Sequence, residues 1–162
     1  MAQHTLADLT RISGAKRRSV QLWAEGGVLK ADPTTERAGT GTHRTFGRDE
    51  AIIACVVHAL AQSQIAIGEL LRLADIVRRY LSRPDNRELF EAAIRDEGRL
   101  WLVLFRQPVS DELVGRHSAH LIRADDPKGT QRFYNVFSGL GSGNTLAFVI
   151  DLNGALAGLR AS

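Results

Sequence analysis

The residues best suited to chemistry lie together near the start of the chain. Lys16, Arg17 and Arg18 are adjacent cations, and Gln21 places an amide one helical turn further on. Guanidinium and amide groups read guanine and adenine edges through paired hydrogen bonds, and all three cations can hold phosphates. A second polar group follows at Arg37, Thr40, Thr42, His43 and Arg44, set around Gly39–Gly41. Basic and hydroxyl side chains on a glycine-rich tip suit contacts to a phosphate backbone or a minor groove, although such a stretch is also what a solvated loop looks like.

Other reactive residue types do not assemble into a recognisable set. Cys55 and His58 lie three apart and supply only two ligands, too few for a metal site. His117 and His120 face different sides of any strand that carries them, with no third ligand or carboxylate nearby. Ser110, Ser118 and Ser138 sit in no nucleophile elbow. The segment Gly139-Leu-Gly-Ser-Gly-Asn144 lacks the Lys-Ser/Thr of a phosphate loop and precedes an apolar, strand-like run, so a hairpin loop is the expected reading. The expectation is therefore a protein that is not an enzyme and carries no cofactor and no metal.

Charge placement agrees with a polyanionic partner. The chain has 162 residues and a net charge of +3. Residues 1–48 carry eight Lys/Arg against four Asp/Glu, whereas residues 49–162 carry thirteen against fourteen. All the excess positive charge thus sits in the N-terminal third. A single cysteine excludes an intrachain disulfide and fits a reducing compartment. There is no basic-then-apolar leader and no apolar run of membrane-spanning length, which leads us to expect a cytoplasmic, nucleoid-associated protein.

The elements that position these groups follow from periodicity. Thr5 is an N-cap candidate for a short helix bearing Leu6, Leu9 and Ile12, and Ser13-Gly14 breaks it. A second helix over Lys16–Glu25 has Leu22 and Trp23 to pin it to a core and ends at Gly26-Gly27. Such a pair is either a helix-turn-helix or a plain helical hairpin, and the Lys-Arg-Arg run favours the first. Residues 30–46 suggest a two-stranded hairpin anchored by Phe46. A third helix starts at Arg48-Asp49-Glu50 with Ile52, Ile53, Val56, Val57 and Leu60 inward, and a fourth spans about 66–80 with a stripe from Ile67 to Leu81.

Several of these segments match a known pattern in order. Ser13-Gly14-Ala15 forms the turn, and Arg18-Ser19-Val20-Gln21-Leu22-Trp23 stands where Arg-Thr-Leu-Arg-Tyr-Tyr is usual. Gly27-Val28-Leu29 corresponds to Gly-Leu-Leu, and His43-Arg44-Thr45-Phe46 begins a Tyr-Arg-x-Tyr-like segment. In these motifs residues 4–60 resemble the DNA-binding domain of the MerR family of winged helix-turn-helix transcription regulators. Gln21 and Leu22 depart from the family's Arg and Tyr. The resemblance implies binding to double-stranded DNA through Lys16, Arg17, Arg18 and Gln21, with Trp23 as the aromatic contact. Arg37, Thr42, His43 and Arg44 would then be the wing's contacts. It also implies a homodimer on a pseudo-palindromic site, paired through the fourth helix, unless that helix only covers its own core.

Beyond Pro84 the pattern changes. A helix to about Gly98 is followed by apolar or alternating runs at Leu100–Phe105, Ala119–Arg123, Arg132–Ser138 and Thr145–Ile150, all expected as strands. Asn153-Gly154 reads as a tight turn. Residues 109–117 have no clear assignment. Trp101, Phe105, Phe133, Tyr134, Phe137 and Phe148 form either the sheet's core or the lining of an effector pocket. The expected fold is α+β: a winged DNA-binding domain over 1–62, a connecting or dimerisation helix over 63–83, and over 84–162 a small antiparallel sheet domain with one or two helices. That last domain would sense a small-molecule effector or, alternatively, recruit a partner protein such as the transcription machinery.

Overall fold

A computed structural model of the chain describes residues 3–36, 44–109, 112–138 and 146–160. The elements in order are β1 (Gln3–Thr5), α1 (Leu6–Ser13), α2 (Arg17–Glu25), α3 (Pro33–Glu36), β2 (Thr45–Gly47), α4 (Arg48–Ala61), α5 (Ile67–Leu81) and α6 (Pro84–Arg95). They continue with β3 (Leu100–Val109), β4 (Glu112–Arg123), α7 (Pro127–Ser138), β5 (Leu146–Asp151), α8 (Leu152–Ala155) and a 3-10 turn (Ala157–Leu159). The chain is mixed α+β and divides into two units, Met1–Arg79 with Ala155–Ser162, and Tyr80–Gly154. Most of α5 and the C-terminal residues belong to the first unit.

In the first unit, α1 is closed at both ends by its own sequence. The Thr5 hydroxyl accepts from the Asp8 backbone N–H at 3.2 Å, while the Asp8 carboxylate accepts from the Thr5 N–H at 2.9 Å. Gly14, at φ 72°, ends the helix in the left-handed conformation that glycine adopts without strain. The unit is built around α4, in which Ala51 through Val57 are all essentially inaccessible. A helix buried on every side is a core helix rather than a surface one. Leu9, Val20, Val28 and Phe46 are buried with it. The C-terminal turn packs on α1, where a Cβ at Gly158 would collide with the Ile12 carbonyl oxygen.

An ion-pair network ties α5 to the rest of this unit. Arg78 donates from Nε to Glu50 at 2.7 Å, from Nη2 to Glu50 at 2.8 Å and to the Val28 carbonyl, and from Nη1 to Asp75 at 2.7 Å. Lys30 adds its backbone N–H to Glu50 at 2.9 Å and its ammonium to Asp75 at 2.8 Å. Along the stripe on α5, Leu70, Ala74, Val77 and Leu81 are buried, whereas Leu71 is half-buried and Ile67 is 47 % exposed.

The expected hairpin over 30–46 takes a different form. Residues 33–36 make a helical turn, with Asp32 accepting from the Thr34 N–H at 2.9 Å and its hydroxyl at 2.7 Å. The strand β2 pairs antiparallel with β1, His4 opposite Phe46. An Asx cap followed by Pro33 is a helix-start signal that outweighs the β-branched composition. The tip at Gly39–Gly41, and with it Arg37, Thr42 and His43, lies outside the described residues.

The second unit contains an antiparallel sheet in the order β4-β3-β5. Trp101 pairs with Ile122 and Leu102 with Ile150. Val103, Phe105 and Ile122 form a buried cluster against Phe133, Val136 and Phe137 of α7, while Leu100, Leu102 and Leu104 alternate with them and are also buried. Two expectations are corrected here. Arg132–Ser138 is not a strand but the end of α7, because Phe133, Val136 and Phe137 have helical i, i+3, i+4 spacing. Pro127 in the first turn and the Asp126 carboxylate accepting the Lys128 N–H at 3.0 Å start that helix. Asn153-Gly154 is not a separate tight turn but lies within the one-turn helix α8. The Asn153 amide is engaged elsewhere, donating to Asp96 at 2.9 Å and to the Gly98 carbonyl at 2.7 Å, while its oxygen accepts the Leu100 N–H at 2.9 Å.

Candidate nucleic-acid interface

The two helices α1 and α2 begin in opposite electrostatic ways. The first has a full capping box with an acid in its first turn. The second starts at Lys16 with no side-chain cap and no acidic residue, and its first helical residues are Arg17 and Arg18. Cations at the positive end of a helix oppose its dipole, so these residues cost stability rather than adding it. Lys16, Arg17 and Arg18 are all exposed, and among the described residues none has an acidic partner. A polyanion docking there would satisfy both the side chains and the open backbone N–H groups.

Val20 and Trp23 turn into the core and fix how α2 presents its other faces. Arg17 and Gln21, four residues apart, lie along one flank with Glu25 next in line, and Gln21 donates to Glu25 at 2.9 Å. This flank opens on a cleft of about 590 Å3, with Thr5 and Ala7 at the start of α1 and Arg44 just before β2 as further walls. The fold therefore brings Arg17, Gln21 and Arg44 to one concavity, a juxtaposition across 27 residues of sequence that spacing alone does not reveal.

Two assignments change. Trp23 is only 5 % exposed, with its ring 6.5 Å from that of His58, so it is a packing residue and cannot be the surface aromatic contact. Leu22, expected in the core, is 40 % exposed beside Arg18. Thr5 and Ala7 also line this cleft, the Thr5 hydroxyl being engaged with Asp8. Lys30, one of the eight N-terminal cations, is engaged by Asp75.

Burial pushes the Cys55 thiol up to about 12, and its sulfur points at the Ile12 carbonyl oxygen at 3.8 Å. Among the described residues, no three His, Cys, Asp or Glu gather as a metal site would require. The segment 139–145 lies outside the described residues, but it joins a helix to a strand rather than two strands. The aromatic inventory is mostly packing: Trp101 on Phe133, Phe105 on Phe137, and Phe133 on Phe137 have ring centroids 4.5–5.4 Å apart. Tyr134 stands apart at 68 % exposure. Among the described residues no helix is long and apolar enough to cross a membrane. Comparison of the sequence with protein-family models and with curated proteins finds no match.

Proposed function

We propose that the chain is a sequence-specific DNA-binding transcription regulator, with its first unit acting as a MerR-like winged helix-turn-helix and α2 as the element that enters the major groove. One observation carries the reading. The N-terminus of α2 is uncapped, free of acids and crowded with exposed cations that the fold itself has no use for. Lys16, Arg17, Arg18 and Gln21 would meet base edges and flanking phosphates. Arg44, with Arg37, Thr42 and His43, would hold the backbone alongside. No catalytic step or cofactor belongs to this reading.

A homodimer on a pseudo-palindromic site is part of the proposal, and on α5 only the N-terminal end of the stripe, at Ile67, stays exposed to such a partner. Leu146 and Val149, each 49 % exposed on the edge strand β5, favour a second reading in which this sheet recruits a partner protein to the DNA.

The test is duplex binding by fluorescence anisotropy across a salt series, with Arg17→Ala/Arg18→Ala beside the unmodified chain. Removing two phosphate or base contacts should flatten the slope of log K against log salt by about 1–2 and weaken binding by about tenfold or more. Equal affinity and an equal slope in the double variant would reject α2 as the contact.

A further inference from the structure

The second unit holds a cleft that plays no part in DNA binding as proposed. It runs along the outer edge of β4, an edge strand of the sheet, between α6 and α7. It encloses about 830 Å3, and an adjoining recess of about 290 Å3 shares Leu89, His120, Leu121 and Arg132 with it. Its apolar lining is Leu89 of α6, Val136 of α7 and Leu121 of β4, the last on the sheet face of Leu102 rather than the face that α7 covers.

Cations stand around that lining from separate elements. Arg132 and Lys128 come from α7, Arg123 from β4, and Arg83, the N-cap of α6, from the recess. Among the described residues Arg132, Lys128 and Arg83 have no carboxylate within ion-pair distance, and Arg123 reaches Asp125 only at 3.5 Å. Asp126 also lines the cleft and keeps its negative charge while accepting the Lys128 N–H, so the four cations face one lining carboxylate. These cations are all exposed, and with Asp126 and the Asp125 partner of Arg123 counted the rim stays net positive, which attracts an anion. The half-buried His120 ring stands edge-on to Phe105 at 5.8 Å. Burial first, and then the charge of Arg132, hold it below the usual imidazole range. A bound anion would relieve that repulsion and gain a hydrogen-bonding partner in the ring.

We propose that this cleft binds a small organic anion, its carboxylate or phosphate held by Arg132 together with Arg123 or Arg83, and its apolar body resting on Leu89, Leu121 and Val136. The volume falls within the roughly 300–1,000 Å3 of small-molecule sites. The apolar lining fits an amphiphilic molecule better than a bare nucleic-acid backbone. All of these residues lie in the second unit, so the site stands or falls independently of DNA binding by the first.

Naphthyl phosphate, naphthoate and uncharged naphthol, titrated calorimetrically into the full chain, test it. The His120 ring is followed by NMR in the same samples. At least one anion should bind about tenfold or more tighter than naphthol and shift the His120 ring signals, and the exposed Arg132→Gln change should weaken it about tenfold. Which anion wins identifies the head group. Naphthol binding as well as the anions, anion binding untouched by Arg132→Gln, or no probe binding at about millimolar concentration would each overturn the proposal. A DNA duplex that displaces the probe, and that Arg132→Gln weakens equally, would overturn it in favour of a nucleic-acid contact.

Discussion

Replacing Arg78 by Met should destabilise the first unit by about 3 kcal/mol. The side chains of Arg78 and Glu50 are 17 % and 11 % exposed, so their two hydrogen bonds of 2.7 and 2.8 Å are made largely out of water. Methionine keeps the aliphatic stem and a good helix propensity, so little of the loss should come from packing or from α5 itself. What remains is a Glu50 carboxylate in a nearly buried place with one bond left, from the Lys30 N–H. Removing one member of a buried pair costs about 3–5 kcal/mol. The surviving bond puts this case at the low end, and the half-exposed contact to Asp75 adds only about 0–1 kcal/mol. Urea unfolding at neutral pH, followed by Trp23 fluorescence in a Trp101→Phe background, reports this unit by itself. For an m-value of about 2 kcal/mol/M the midpoint should fall by roughly 1.5 M. The double variant Glu50→Gln/Arg78→Met should recover a good part of the loss, since no buried charge is then stranded. A loss below about 1 kcal/mol, or a double variant costing the sum of the singles, would refute the assignment.

Further predictions concern neighbouring groups. Burial pushes Asp75 up, but hydrogen bonds from Lys30 and Arg78, with their charges, outweigh it and leave the carboxyl below its ordinary 3.8. Its contribution is complete above the unfolded value and is lost as pH falls through the lower folded value. Asp75→Asn should therefore flatten the acid limb of the stability curve below about pH 4–5, and an unchanged limb would count against the pair. The Cys55 thiol, raised to about 12 by burial, should resist alkylation in the native chain at neutral pH and react only on opening. Fast native labelling would contradict its burial. In DNA binding, Arg18→Ala should lose sequence preference more than non-specific affinity. Arg44→Ala should weaken all duplexes alike and reduce the salt slope by about 0.9. Exchanged behaviours would reverse the two roles.

What the sequence disclosed depended on the range of the signal. Capping at Thr5, the break at Gly14 and the start of α4 at Arg48-Asp49-Glu50 are local, and each is legible within a few residues. The end of α7 was not, because Phe133, Tyr134, Val136 and Phe137 satisfy a strand window and a helix face alike, and only the start at Asp126-Pro127 decides. The bond of Glu50 to Arg78 spans 28 residues, and the cations around β4 are scattered from Arg83 to Arg132. No spacing rule gathers either. At the candidate interface, residue type picked out Lys16, Arg17, Arg18, Gln21 and Arg44. It could not tell that consecutive Leu22 and Trp23 would divide between solvent and core. That choice is made by which face of α2 meets the rest of the unit.

Selection of bound sites from a random duplex library by the full chain tests the central claim most directly. The account predicts enrichment of a defined half-site, repeated as an inverted pair at a fixed spacing, and its disappearance in the Arg17→Ala/Arg18→Ala variant. Recovery of no motif, or of the same motif by that variant, would contradict it.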